Sequence, residues 1–225
     1  MLKLVAAALV AFACVAQAQV PPTADEIKAY DGLFAAAAKG DLPAIKKLVA
    51  DGARIDARDA RQRTPLIVAA YAGQRDAMRA LAAAGADANA LDVDRYDMVT
   101  IAAVADDLPT LETALALGNK ATNITSRYDG TALIAAAHLG HAEVVRKLVI
   151  AGAPLDHVNN LGWTALIESI VLGDGGTRHT ETMVTLIQAG ANLNLADRNG
   201  ITPLHLAESN GHREMAKILA AAGAR

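Results

Sequence analysis

Side chains capable of acid–base chemistry or ligand binding are concentrated in one short stretch of the sequence. Glu168 is followed by Asp174, Arg178 and His179, and three glycines lie between them. A carboxylate and an imidazole within hydrogen-bond reach can transfer a proton, and a nearby guanidinium can hold an anionic group. One hypothesis is therefore a small-ligand-binding or enzymatic site centred on Glu168 and the segment Asp174–His179.

The sequence motifs that mark other catalytic centres are missing. There is no G-x-S-x-G nucleophile turn, no phosphate-binding glycine loop followed by lysine, and no H-E-x-x-H zinc motif. His138 and His141 are spaced to share one helix end, but no third metal ligand is evident. We therefore expect no catalytic residues, no cofactor and no metal, and we interpret the chain as a non-enzyme.

Residues 1–18 have the pattern of a secretory signal peptide. Lys3 is followed by the apolar run Leu4–Val15 and by an A-x-A sequence that ends at Ala18. The apolar run is much shorter than the roughly 20 residues that cross a bilayer. We expect cleavage between Ala18 and Gln19, a periplasmic or secreted product, and no transmembrane segment.

The single cysteine, Cys14, lies within this signal, so the mature chain would have no disulfide. An alternative is that Cys14 is lipidated and anchors a periplasmic adaptor to the membrane, although Ala11 and Phe12 match poorly the residues that usually precede such a cysteine. Without Lys3, 20 basic and 24 acidic residues remain, which gives a net charge of −4. This balance does not favour nucleic acid as a partner.

The elements that must position these side chains are revealed by a repeat. Glycines recur at intervals of 33, 33, 34, 38 and 33 residues, at positions Gly52, Gly85, Gly118, Gly152, Gly190 and Gly223. A Thr or Asp lies 21 residues before each glycine, except that one interval is 26; these residues are Asp31, Thr64, Asp97, Thr131, Thr164 and Thr202. Because Thr and Asp cap helix N-termini and glycine ends helices, the two markers predict a pair of helices in each repeat.

The last repeat carries the most complete motif: Thr202, Pro203, Leu204, His205, Leu206 and Ala207. The chain thereby resembles the ankyrin-repeat family, whose signature is T-P-L-H-x-A. The resemblance implies an all-α solenoid of about six helix-turn-helix repeats with β-hairpin-like finger loops. Repeat three departs from the motif, with Asp97, Met98 and Val99 in place of T-P-L.

The predicted domain organisation follows from these markers. Residues 1–18 form the signal, and residues 19–30 form a lead-in segment in which Thr23 and Glu26 have a capping-box pattern. Residues 31–225 form the repeat domain, and its approximate repeats are 31–60, 61–93, 94–127, 128–160, 161–198 and 199–225. Such stacks bind partners on an extended concave surface.

Aromatic side chains cluster at positions that the resemblance places on this concave surface. Aromatic and Arg side chains dominate binding energy at protein interfaces. We therefore predict a partner-binding surface composed of Arg61, Arg63, Tyr71, Tyr96, Arg127, Tyr128, Trp163 and Leu172. The alternative is that the rings only pack finger against finger and stiffen the hairpins.

Repeat five contains five extra residues, Asp174–Arg178, predicted to form a loop between its two helices. Glu168 of this repeat occupies a register that is apolar elsewhere, as in Val68 and Ile101. A buried carboxylate requires hydrogen bonds or a charged partner. We predict that Glu168 anchors the loop, together with Asp174 and Arg178, by accepting bonds from the loop backbone or from Arg178. Contact between the loop and a partner, or an acid–base role, are the alternatives.

The function that these predictions favour is that of a non-catalytic scaffold in the bacterial periplasm. It would bind a partner protein through the fingers and first helices of the concave face.

Overall fold

A computed structural model describes residues 19–225. The predicted signal, Ala18 of the cleavage site and Cys14 lie outside the described residues, so cleavage and lipidation stay predictions.

Residues 19–225 form thirteen α-helices and no β-strand, which confirms the predicted all-α repeat fold. The helices are α1 (Ala24–Ala29), α2 (Gly32–Lys39), α3 (Leu42–Ala50), α4 (Pro65–Tyr71), α5 (Arg75–Ala83), α6 (Met98–Val104), α7 (Leu108–Ala116), α8 (Ala132–His138), α9 (Ala142–Ile150), α10 (Ala165–Val171), α11 (Thr177–Gln188), α12 (Pro203–Ser209) and α13 (Arg213–Ala221).

The helices pack in two layers. The even-numbered helices α2 to α12 are the first helices of the repeats, and each contacts the next along the stack. The odd-numbered helices α3 to α13 form the second layer in the same way. One hydrophobic core runs through the whole stack between the layers. Because Ala fills many of its positions, the helices approach closely without large side chains.

Side-chain caps explain where most first helices begin. The hydroxyls of Thr64, Thr131 and Thr164 accept hydrogen bonds from the backbone N–H three residues ahead, at 3.2–3.3 Å. In repeat three the Asp97 carboxylate makes the same bond to Thr100 N at 2.8 Å. Each such cap stabilises a helix by about 1 kcal/mol. Asp97 therefore caps α6 in the repeat whose motif is degenerate, as Thr caps the first helices of other repeats.

The fingers are tight turns rather than strands. In four of them a backbone N–H donates to the carbonyl four residues ahead, as from Asp92 to Tyr96 at 3.0 Å. The side chain that begins the turn adds two more bonds: Asp92 Oδ1 accepts from the backbone N–H groups of Asp94 and Tyr96, both at 2.9 Å. The same pair of bonds is made by Asp59, Asn159 and Asp197.

The lead-in segment is held on the stack. The predicted capping box is confirmed: Thr23 Oγ1 accepts from Glu26 N, and Thr23 N donates to the Glu26 carboxylate. Glu26 also forms an ion pair with Arg63 at 2.6 Å. Upstream of this helix, Gln19 Nε2 donates to the Thr100 carbonyl at 2.8 Å. Residues 19–23 therefore extend towards the concave face of repeat three.

The extra residues of repeat five do not all enter a loop, and this prediction was wrong. Helix α11 has 12 residues where α5, α7 and α9 have nine, so three of the five lengthen the helix. The other two lengthen the connection, which runs over residues 172–176. Gly175 has φ +69° in this connection, and a Cβ there would collide with the ring of His212. Glycine is favoured at this position because it meets both constraints without strain.

None of the helices in residues 19–225 has the length and hydropathy needed to cross a membrane.

Candidate functional site

A cavity of about 190 Å³ opens on the concave face between repeats three and five. We call it the groove pocket. Its walls are mainly apolar and include Val104, Ile134, Leu139, Leu161 and Leu172. Three of the residues predicted to bind a partner, Tyr96, Tyr128 and Leu172, line the pocket, as does Gln19 of the lead-in segment. An apolar cavity with a few polar groups is the usual form of a binding site.

Three polar side chains meet in this pocket, and we call them the polar floor. Glu168 is 4% exposed. Its Oε2 lies 3.1 Å from His138 Nδ1, and its Oε1 accepts a hydrogen bond from Asn159 Nδ2 at 2.9 Å. Both carboxylate oxygens are therefore engaged within the protein, as burial of a charge requires.

Asn159 has two sets of hydrogen-bond partners, and together they explain why this finger has an amide where other fingers have a carboxylate. Its Oδ1 accepts the finger-turn bonds from the N–H groups of Leu161 and Trp163, as Asp59, Asp92 and Asp197 do in their own fingers. Its second polar atom faces Glu168. A second carboxylate there would repel Glu168, whereas the amide N–H₂ group donates to it. Asn is therefore the residue at this position that is compatible with the carboxylate of Glu168.

In repeats two and three the corresponding positions of the groove carry tyrosine rings of the protein itself. Tyr71 and Tyr96 pack against a small hydrophobic cluster of Ile67, Ala90 and Ile101. We call this region the filled segment. The Tyr71 hydroxyl donates to Asp92 Oδ2 at 3.2 Å. Burial raises the pKa of the Tyr71 and Tyr96 hydroxyls and that of the Asp92 carboxyl.

Arg63 was predicted to lie on the partner-binding surface, and this prediction was wrong. Its side chain is 1% exposed and pairs with Asp59 and Glu26, each at 2.6 Å. Glu26 and the Val20 carbonyl, which accepts a bond from Arg63 at 3.4 Å, come from the lead-in segment. Because these partners cover the guanidinium, Arg63 stabilises the fold and is not accessible to another protein.

The carboxylates around Arg63 respond to its charge. The pKa of Glu26 is lowered, mainly by the hydrogen bond from the Thr23 backbone and also by Arg63. Desolvation opposes ionisation of Asp59, but hydrogen bonds from Tyr30 and Arg63 outweigh it and lower the pKa of that carboxyl. Both acids are thus stabilised in the charged form.

The other predicted interface residues divide between packing and exposure. Arg61 and Arg127 both bind Asp94, each at 2.6 Å, and so tie adjacent fingers together. Trp163 is half-buried and packs against the main core. These three residues are not among those that line the groove pocket. Their contacts agree with the alternative that finger side chains stiffen the hairpins.

The predicted pairing of Glu168 with the repeat-five connection was also wrong. Arg178 binds Asp106 Oδ2 at 3.2 Å and the Gly140 carbonyl at 3.4 Å, whereas Glu168 points to the polar floor. Asp174 accepts from Gly176 N at 2.8 Å, which is the main cause of its lowered pKa, and it also contacts His179 Nδ1 at 3.1 Å. Glu168 is buried while Asp174 and Arg178 are exposed, so they do not form one site.

The first turn of α11 contacts the polar floor through one residue. His179 Nε2 lies 3.1 Å from the backbone carbonyl of His138. Sequence reasoning considered His138 only as a metal ligand and missed both Asn159 and Gln19. The available signal was the Asn at a position where three other fingers have Asp, namely Asp59, Asp92 and Asp197.

Comparisons with known proteins agree with this architecture. A family profile described as "Ankyrin repeats (3 copies)" matches residues 6–92, 33–124 and 99–177, and another, "Ankyrin repeats (many copies)", matches residues 177–220. The putative ankyrin repeat protein YahD of Escherichia coli K12 is 35% identical over 190 residues, which cover 84% of this chain and 94% of that protein. Cyclin-dependent kinase 4 inhibitor B of Mus musculus is 32% identical over 118 residues, covering 40% of this chain and 91% of the inhibitor.

Solved structures give the same result. An ankyrin repeat domain from Acinetobacter baumannii AYE superposes with a TM-score of 0.80 at 45% identity and covers 86% of this chain and 98% of its own. The ankyrin repeat domain of Bcl-3, a member of the IkappaB family, superposes with a TM-score of 0.78 at 28% identity, with 87% of each chain covered.

Proposed function

The chain belongs to the ankyrin-repeat family, and we propose that it is a periplasmic scaffold that binds a partner protein through its concave face. Ankyrin stacks use this extended surface for protein–protein interaction. The observation that carries the proposal is the groove pocket, an apolar opening bordered by Tyr96 and Tyr128 on that face. Apolar surface left open between aromatic side chains is a typical anchor point for another protein.

The polar floor favours binding over catalysis. Ankyrin-repeat proteins are generally non-catalytic binding proteins. A general acid or base must reach the atom whose proton it moves. Both oxygens of Glu168 are already bonded to His138 and Asn159, and the residue is almost inaccessible. We assign Glu168 the role of holding His138 and Asn159 in place.

Export is supported by the signal-like pattern of residues 1–18. The test is the mass of the protein recovered from the periplasm of a Gram-negative host. A mass that corresponds to a chain beginning at Gln19 supports the proposal. A lipid-modified chain that begins at Cys14 would make it a membrane-anchored adaptor instead, and an uncleaved chain retained in the cytoplasm would contradict export.

The interface is tested by quantitative capture from a periplasmic extract. Tyr128→Ala removes a side chain at the border of the groove pocket, and Ile150→Ala is the matched control because Ile150 is 76% exposed at the end of α9 in the second layer. We expect Tyr128→Ala to lose about tenfold in affinity for its partner, which corresponds to about 1.4 kcal/mol. Ile150→Ala should bind as the wild type does. Equal recovery by all three proteins, with unchanged melting temperatures, would refute the proposed surface.

A further inference from the structure

We propose that the groove pocket receives a tyrosine side chain of the partner protein, with the phenol hydroxyl donating to His138 Nε2. The inference rests on the proposed function in taking the occupant to be part of a protein. It adds the chemistry of the residue that is recognised.

The size of the groove pocket limits the occupant to one ring. Sites for cofactors and other large ligands are about 300–1,000 Å³, whereas a cavity of about 150 Å³ holds a benzene molecule. At about 190 Å³ the groove pocket matches a single aromatic side chain. Its walls of Ile134, Leu139, Leu161 and Leu172 offer contacts on several sides.

The hydrogen bonds of the polar floor determine what the tip of that ring must be. A carboxylate only accepts, so the Nδ1 atom of His138 carries the proton that faces Glu168. In the tautomer that has its one ring proton on Nδ1, Nε2 is an acceptor, and the proposed bond uses this tautomer. No hydrogen bond to His138 Nε2 is found among residues 19–225. An occupant with a hydrogen-bond donor at its tip satisfies this atom.

Charge selects a neutral donor over an ionised one. An anionic tip would approach the buried charge of Glu168, which is unfavourable in an apolar setting. A cationic tip would lose its hydration without gaining a free carboxylate, because both Glu168 oxygens are already bonded. A phenol carries its donor without a charge. Tyrosine therefore fits better than phosphotyrosine, an acidic side chain or lysine.

The filled segment shows how this groove accommodates a tyrosine. Tyr71 occupies the same register in repeat two as His138 in repeat four, since each lies seven residues after its capping threonine. The ring of Tyr71 packs against the apolar cluster that includes Ile101, and its hydroxyl donates to Asp92. In repeat four the smaller imidazole of His138 stands at this register in place of the phenol ring, and its Nε2 is the acceptor that the groove pocket offers. A partner tyrosine would supply the phenol ring.

The probe for this inference is p-cresol, the analogue of the tyrosine side chain. It is added to the isotope-labelled protein, and NMR follows the His138 imidazole and the methyl groups of Ile134 and Leu172. Toluene tests the ring without the hydroxyl, and 4-methylbenzoate tests a ring with a negative tip. We expect saturable p-cresol shifts at all three residues, about tenfold weaker binding of toluene, and no saturable shift with 4-methylbenzoate.

Two variants connect the shifts to the proposed contacts. His138→Val introduces the residue found at the same register in repeats three and five, Val104 and Val171, and should reduce p-cresol affinity to that of toluene. Leu172→Trp should fill the groove pocket and abolish the binding of both probes. The NMR spectra of the variants report whether each remains folded.

Several outcomes would overturn the inference. These are equal affinity for p-cresol and toluene, saturable binding of 4-methylbenzoate at the same residues, or p-cresol shifts confined to sites outside the groove pocket. Any of them leaves the partner-capture experiment unaffected, so the proposed surface could stand while the tyrosine assignment fails. If the wild-type protein captures no partner but still binds p-cresol, the proposed function fails although the groove pocket binds a phenol.

Discussion

The filled segment and the polar floor lie in the same groove and are built from the same three positions. Tyr71, Asp92 and Ile101 of the filled segment correspond, 67 residues later, to the polar floor; its members are His138, Asn159 and Glu168. In the first region a tyrosine ring packs on an isoleucine and its hydroxyl donates to an aspartate. In the second, a smaller imidazole pairs with a carboxylate and a cavity remains.

The difference shows how a repeat protein can create a site without changing its backbone. His138, in place of a tyrosine, lacks the phenol ring that occupies the groove at Tyr71. Exchanging Ile for Glu introduces a charge that needs two donors, and exchanging Asp for Asn supplies one of them. The three differences are therefore one coupled change, and mutations can test the coupling.

Among changes to the polar floor, the largest effect is expected from Asn159→Asp. This variant places a second carboxylate against the buried Glu168, and we expect a loss of about 3 kcal/mol in the free energy of unfolding. In a Glu168→Ile background the same substitution restores the Asp and Ile of the filled segment and should cost less than about 1 kcal/mol. Urea denaturation of the four proteins measures both values. An equal cost in the two backgrounds would show that the positions are not coupled.

A smaller loss is expected from Glu168→Ile alone. It leaves the donors of His138 and Asn159 without their acceptor, at a cost of about 2 kcal/mol. Combining it with Asn159→Asp and His138→Tyr should recover most of that stability and fill the groove pocket. The triple variant should then bind neither p-cresol nor the partner. If it keeps wild-type partner affinity, the partner does not bind in the groove pocket.

Within the filled segment, Tyr71→Phe keeps the ring and removes only the hydroxyl bond to Asp92. The expected loss is about 1 kcal/mol, again measured by urea denaturation. The ring should account for the larger part of the stabilisation, so Tyr71→Ala should cost about 3 kcal/mol. Similar losses for both variants would mean that the hydroxyl, not the ring, accounts for most of the stabilisation by Tyr71.

The smallest effects concern pH and the finger carboxylates. The folded-state pKa of Asp59 is lowered, so its charge stabilises the fold above about pH 4 and this contribution disappears as the pH falls through the folded value. The pKa of Asp92 is raised, so its contribution is complete below about pH 4 and is lost as the pH rises. Asp59→Asn should therefore cost more stability at pH 7 than at pH 3, and Asp92→Asn should cost more at pH 3. Unfolding measured at both pH values checks the opposite signs.

The repeat fold could be predicted because its signals are local and recur. The capping residues, the glycines at helix ends and the capping box of Thr23 and Glu26 each act within one turn of helix, and the structure has the corresponding helices. Even repeat three forms its two helices, because Asp97 caps α6 as threonine does elsewhere.

The candidate site was harder to predict because its contacts cross repeats. The covering of Arg63 depends on Glu26, 37 residues away, and the pairing of Glu168 with His138 spans 30 residues. Spacing places these residues on a face but does not give the direction of each side chain. The apolar register of position 168 correctly identified Glu168 as a buried carboxylate. Its partners, however, are His138 of α8 and Asn159 of the preceding finger, not residues of the nearby connection.

Site-specific cross-linking tests most directly whether the concave groove holds the partner. A photoreactive amino acid with a small side chain, close to leucine in size so that the groove pocket stays open, replaces Leu172 or, in a separate strain, the exposed Ile150 at the end of α9. After irradiation of living cells, we expect one specific adduct from the position of Leu172 and none from that of Ile150. Adducts formed at Ile150 and not at Leu172 would place the partner on the second helical layer and contradict the account.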